Sequence, residues 1–207
     1  IRMTHSYLPL ILTGFMGTGK STIGEYLASK IHCSYIDLDT YIEMKEFKTI
    51  PDIFNEIGEK GFRKVEYQYL KDCIGKYDII STGGGIIEND DSISLLKNKT
   101  VIWLDCDIDI IYNRIANDPH RPNAKNKSEK QLKDLYLSRV SRYNEIASTK
   151  VDSSKTIECV YKTILNHIPC EWSVLERITW TDSIVVLKLC HVIAEGASKL
   201  RNSQAKG

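Results

Sequence analysis

The run Gly14-Phe15-Met16-Gly17-Thr18-Gly19-Lys20-Ser21-Thr22 stands just beyond the apolar stretch Leu8-Pro9-Leu10-Ile11-Leu12. A glycine, four residues and then Gly-Lys-Ser has few structural solutions. The chain must leave a strand, wrap backbone N–H groups around an anion and enter a helix whose positive N-terminus faces the same anion. Glycine at Gly14, Gly17 and Gly19 lets the backbone turn tightly enough to do so. Lys20 then reaches the outer phosphates, the Ser21 hydroxyl ligates a magnesium ion, and Gly17, Thr18, Gly19 and Thr22 complete the cradle. The ligand this predicts is a nucleoside triphosphate with Mg2+. A glycine-rich turn that only resembles the motif is the competing reading; the strand-like run before it and the helical pattern GEYLASKI after it argue against that.

At 207 residues the chain fits one domain able to bury a continuous core. Its formal net charge is +1, and no basic stripe with interleaved aromatics is present, which argues against a nucleic-acid partner. There is no long uncharged apolar run for a membrane span, and IRMTHSYLPL lacks a signal-peptide cleavage pattern, so a soluble, cytoplasmic protein is expected, with a monomer as the simplest state. Ile1 and Arg2, ahead of Met3, read as processing or cloning residues. Six cysteines occur without a C-x-x-C pair or a histidine cluster at zinc spacing, which predicts reduced thiols, buried or incidental.

Apolar segments alternate with helical patterns along the chain. LPLILT precedes a helix from about Ser21 to Ile31; CSYIDLD precedes helical stretches over about Thr40 to Glu46 and Ile50 to Cys73; YDIISTGGG is a third strand. VIWLDC, Val101 to Cys106, is followed by a helix from Ile108 to Ala116, and a last short strand near Lys150 to Asp152 precedes a helix from about Thr156 to Ile168. This alternation predicts an α/β three-layer sandwich: a parallel sheet with helices on both faces. Between Asn117 and Lys130 the apolar period gives way to the polar NDPHRPNAKNKSEK, a loop of a length that is usually functional. Helical periodicity resumes from Gln131 to Ala147.

Ligands of α/β sheets bind beyond the carboxyl ends of the strands, so the residues there are the candidates. After the second strand comes Asp37-Leu38-Asp39. On an extended chain both carboxylates would face one side, one for the magnesium shell and one for an acceptor hydroxyl. The alternative is a helix N-cap followed by solvated charge, since YIEMKEF begins directly afterwards. After the third strand, Gly83-Gly84-Gly85 is expected where a ligand approaches the main chain. A flexible connector is the plainer alternative. Arg63 and Arg139 fall on predicted helices, where either alone reads as a solvated charge.

The phosphate loop, Asp37-x-Asp39, Gly58-Glu59-x-Gly61-Phe62-Arg63, Gly83-Gly84-Gly85, Arg121-Pro122 and Arg139-x-x-x-Tyr143, in this order, resemble shikimate kinases over about Leu8 to Ile168. The resemblance implies a nucleoside-monophosphate-kinase-like fold with a central five-stranded parallel sheet, and transfer of the ATP γ-phosphoryl group to the 3-hydroxyl of shikimate. It places Lys20 and Ser21 on phosphates and magnesium, Asp37 in the metal shell, and Asp39 on the shikimate hydroxyls, as orienting group or as proton acceptor. Arg63 and Arg139, with backbone from Gly84 and Gly85, would hold the substrate carboxylate. Arg121 would be a lid arginine near the transferring phosphate and Arg114 the arginine near adenine. A lid over about 117–130 would close on both substrates and exclude water.

Residues 170–207 have no counterpart in the compact family domain. They read as a natural extension, part of an adjoining domain, or residues added in cloning, the polar end SKLRNSQAKG favouring the last. Two other functions are weighed. Another small-metabolite kinase, such as a gluconate kinase, would not need Asp39, Arg63 and Arg139 together. A nucleotide-binding regulatory module without activity would lack a phosphate-loop or acceptor residue, and none is missing.

Overall fold

A strand at the middle of a parallel sheet is covered on both faces, so it is apolar throughout. Strand β1, Leu10–Thr13, is buried along its whole length. The computed structural model describes residues 9–116 and 128–168. In it β1 pairs in parallel with β3, Ile79–Ser81, on one side and β4, Thr100–Asp105, on the other. Strands β2, Tyr35–Asp37, and β5, Thr149–Asp152, complete a parallel sheet in the order β2-β3-β1-β4-β5. This is the expected five-stranded architecture.

Helix α1, Lys20–Ile31, starts where Gly19 takes a left-handed conformation (φ 86°, ψ 20°) and lays Ile23, Leu27 and Ala28 into the core. Helix α2 spans Leu38–Glu46, α5 Ile108–Ala116 and α7 Ile157–His167. Helix α3, Ile50–Ile74, is capped by Thr49, whose hydroxyl accepts from the Asp52 N–H. The stretch expected as one continuous helix is broken at Gly58, where φ 69° and ψ 176° admit little but glycine. Helix α6, Glu129–Ile146, starts with a reciprocal capping box between Ser128 and Gln131. The polar segment expected to stay irregular to Lys130 therefore yields its last residues to this helix. Its remainder, with Arg121, lies outside the described residues, as do residues 169–207.

Two elements went unread in the sequence, a 3-10 turn at Ile86–Glu88 and helix α4, Asp90–Leu96. Neither is long enough to display helical periodicity, although Asn89 caps α4 by accepting from the N–H groups of Asp91 and Ser92. On the α6 side of the sheet, Trp103 stacks on Tyr143 with ring centroids 5.7 Å apart. The cysteines Cys33, Cys73, Cys106 and Cys159 are all unpaired, with Cys73 and Cys106 buried. Among the described residues no helix is long and apolar enough to cross a membrane.

Candidate active site

The loop between β1 and α1 has the shape its sequence demands. Gly14 takes φ 142°, and a Cβ there would lie 2.2 Å from the Leu104 carbonyl oxygen, so no side chain is possible. Gly17 and Gly19 also have positive φ. Thr18 is buried and turned inward, its hydroxyl donating to the Phe15 carbonyl at 2.8 Å, so it braces the loop from within. Lys20 donates from Nζ to the carbonyls of Gly14 at 2.8 Å and Phe15 at 2.9 Å, arching its ammonium over the loop. Thr22 is exposed in the first turn of α1.

The expectation that Asp37 and Asp39 project from one extended segment is corrected. β2 ends at Asp37, and Asp39 sits in the first turn of α2. Asp37 is an N-cap, Oδ1 accepting from the N–H groups of Asp39 at 3.0 Å and Thr40 at 3.3 Å. Its other oxygen, Oδ2, accepts from the Ser21 hydroxyl at 2.7 Å. The cap and the loop-facing role, set against each other in the sequence, belong to different oxygens of one carboxylate.

Three elements converge on Gly83-Gly84-Gly85, and each glycine answers to a different neighbour. A Cβ on Gly83 would fall 2.8 Å from Asp39 Oδ1 and 2.9 Å from Glu66 Oε1. One on Gly84 would meet the Met16 amide nitrogen at 3.3 Å, which brings this turn against the phosphate loop. One on Gly85 would overlap the Arg63 guanidinium, 2.1 Å from Nη2. These are close approaches of main chain to functional groups, not a flexible connector.

Arg139 is buried and Arg63 largely so, rather than solvated. The side chain of Arg63 is 13% exposed and that of Arg139 10%. Arg63 Nη1 donates to Glu66 Oε2 at 2.7 Å and Nη2 to Glu59 at 3.4 Å, while its Nε is buried without a hydrogen-bond partner. Arg139 Nε donates to Glu88 Oε1 at 2.7 Å. Burial pushes the Glu66 carboxyl up to about 7 against the pull of Arg63. Burial and neighbouring Asp37 likewise raise Asp39 to about 6, opposed by Lys20 and Arg63. Asp39 thus lies within electrostatic reach of both the phosphate-loop lysine and an arginine of the second cluster.

Arg114 spans the loops beyond β1 and β5, donating to the Gly17 carbonyl at 3.3 Å and the Ser153 carbonyl at 3.0 Å. Beside it a hollow of about 400 Å3 is lined by Asp105, Cys106, Ile108, Tyr136, Lys150 and Asp152 among others. In it Asp105 pairs with Lys150 at 2.8 Å and accepts from the Tyr136 hydroxyl at 3.0 Å.

The arrangement comprises a phosphate loop, a carboxylate on its serine, and a second cluster in which two arginines, each little exposed, flank the Gly83–Glu88 segment. Residues 16–169 match the family model described as shikimate kinase. The chain belongs to the shikimate kinase family. A shikimate kinase of Staphylococcus haemolyticus is 63% identical over 163 residues, covering 78% of this chain and 95% of the relative. Shikimate kinase from Acinetobacter baumannii, solved in complex with shikimate, superposes with a TM-score of 0.70 at 30% identity, covering 78% of this chain and 92% of that one. A gluconokinase from Sinorhizobium meliloti, 13% identical with a TM-score of 0.51 over 84% of this chain and 97% of its own, shares the fold alone.

Sequence reasoning passed over Glu66 and Glu88, the carboxylates that hold the two arginines. Glu66 follows Arg63 by one helical turn, and this spacing was its only signal. Glu88 lies in the unread 3-10 turn.

Proposed function

We propose that this kinase transfers the γ-phosphoryl group of ATP to the 3-hydroxyl of shikimate, giving shikimate 3-phosphate and ADP. The observation that carries the reading is the withdrawal of Arg63 and Arg139 from solvent beside the Gly83–Glu88 segment, which also abuts the phosphate loop. Two nearly buried guanidinium groups suit a small acceptor with a carboxylate, since each offers planar, charge-assisted hydrogen bonds. Gly84 and Gly85 keep the wall free of side chains, so the acceptor reaches main chain and arginines together.

Lys20 serves the outer phosphates, exchanging its two carbonyl partners for phosphate oxygens. Gly17, Gly19 and the first turn of α1 present N–H groups to the same anion. Ser21 and Asp37 would hold a magnesium ion: Asp37 Oδ2 accepts the hydrogen bond of the Ser21 hydroxyl, whose oxygen keeps a lone pair for the metal. Magnesium, when bound, neutralises charge developing on the phosphate oxygens. Asp39 faces the acceptor hydroxyl and orients it or takes its proton. Arg114 borders the adenine side, and Arg121, outside the described residues, would close on the transferring phosphate. Phosphoryl transfer through a loose transition state asks for alignment and charge stabilisation above all, which these groups supply.

The test is a coupled ADP-release assay with shikimate against a panel of hydroxy acids and sugar acids that includes gluconate. Turnover confined to shikimate is expected. Preference for gluconate, or ADP release independent of any acceptor, would overturn the reading.

A further inference from the structure

The two acceptor-side arginines are gripped at opposite ends. Arg63 is held through Nη1 and Nη2 by Glu66 and Glu59, with Nε buried and unpartnered. Arg139 is held through Nε by Glu88. A guanidinium receives a carboxylate either side-on, through Nε and one Nη, or end-on, through both Nη groups. With Nε committed to Glu88, the side-on mode of Arg139 is closed. Its terminal edge remains, on a side chain within hydrogen-bonding range of the Tyr143 hydroxyl and electrostatic reach of Glu66.

Glu88 is itself held in place. Residues Arg139, Arg142 and Tyr143 share one face of α6, and all three grip the segment that carries Glu88. Arg142 Nη1 donates to Asp90 Oδ1 at 2.6 Å and to the Ile87 carbonyl at 3.4 Å, and the Tyr143 hydroxyl donates to the Gly84 carbonyl. The face of the Phe15 ring lies 5.8 Å from Arg139 Cζ and limits rotation of the guanidinium.

We propose that Glu88 is a positioning residue for acceptor specificity: it fixes Arg139 through Nε, so that the Nη edge meets the acceptor carboxylate end-on. The inference rests on the reading of shikimate as acceptor. It carries a definite sign. Glu88 is also a negative charge near an anionic substrate, and if it merely competed with the acceptor for Arg139, its removal would tighten binding.

The experiment compares wild type, Glu88→Ala and Glu88→Gln by initial rates with shikimate and ATP varied in turn. Thermal unfolding and ADP titration report on the fold. Glu88→Ala should raise KM for shikimate by roughly tenfold, the scale of one hydrogen bond to a charged group, with kcat and KM for ATP within about twofold of wild type. Glu88→Gln keeps an acceptor oxygen for Nε and should restore KM to within about threefold of wild type. An unchanged or lowered KM in Glu88→Ala would overturn the inference, as would a glutamine variant as impaired as the alanine one. If wild type itself did not turn over shikimate, the proposed function would fail and this inference with it; wild-type turnover with an unmoved KM would remove the inference alone.

Discussion

A single methyl group at residue 85 should separate the stability of this enzyme from its grip on the acceptor. Gly85 has φ −100° and ψ 8°, a conformation alanine accepts, so Gly85→Ala costs nothing in backbone strain. The new Cβ, however, would lie 2.1 Å from Arg63 Nη2, 2.5 Å from Cζ and 2.7 Å from Nη1, where carbon needs about 3.4 Å or more. The guanidinium must withdraw by more than about 1 Å, and its 2.7 Å bond to Glu66 goes with it. Because the displaced atoms are the far end of a long side chain, the fold yields cheaply. Glu66, abandoned in a site where it is fully buried, already has its carboxyl raised to about 7 and takes up a proton instead of standing as an isolated charge. Losing a hydrogen bond to a charged group costs about 1.5–3 kcal/mol, which is roughly a tenfold to a hundredfold rise in KM for shikimate. Initial rates with shikimate varied at saturating ATP, then the reverse, measure it, with KM for ATP expected near wild type. The stronger check is the double variant: on an Arg63→Ala background, Gly85→Ala should add little, since the group it displaces is gone. Fully additive effects, or a KM for shikimate within twofold of wild type in Gly85→Ala alone, would refute the reasoning.

Lys20→Ala should lower turnover by at least about a hundredfold, the scale of one lost transition-state donor, while circular dichroism shows a folded protein; near-normal turnover would remove the phosphate-loop assignment. Glu66 carries its stability contribution below its unfolded value near 4.5 and loses it as pH rises through about 7, because the folded state holds the proton more tightly. The melting temperature of wild type should therefore fall relative to Glu66→Gln between about pH 5 and 8, and a pH-independent difference would contradict the burial argument. A chain ending at Pro169 should still fold and phosphorylate shikimate, since the family match ends at residue 169 and every proposed site residue precedes it; an insoluble or inactive truncation would show that residues 170–207 belong to the folded domain.

The sheet was legible because parallel strands buried on both faces are apolar runs, and Leu10–Thr13 and Thr100–Asp105 carry little else. The phosphate loop was legible because its constraints are local: positive φ at Gly14, Gly17 and Gly19 and a lysine at the start of α1. The cluster around Arg63 and Arg139 was not legible from periodicity. Arg63 and Arg139 lie 76 positions apart on different helices, and what buries them is the packing of α3 and α6 on the Gly83–Glu88 segment. Only the family resemblance lifted them above surface charges. Glu88 had no such help, because a three-residue 3-10 turn leaves no repeat to recognise. The kink at Gly58 failed for the opposite reason: the apolar pattern continues across it, and only the dihedral angles reveal the break.

Gly84 has a consequence for how the two substrates sense each other. Its carbonyl accepts from Tyr143 on the side proposed for the acceptor, while its Cα faces the Met16 amide of the phosphate loop, with no side chain on Gly84 to intervene. A displacement of that one peptide, caused from either side, would shift both contacts. Linkage then requires reciprocity: whatever factor a bound nucleotide applies to acceptor affinity, the acceptor applies to nucleotide affinity in equal measure. A thin shared wall of this kind would route any synergy between the substrates through the peptide of residue 84 and the Tyr143 hydroxyl that holds it.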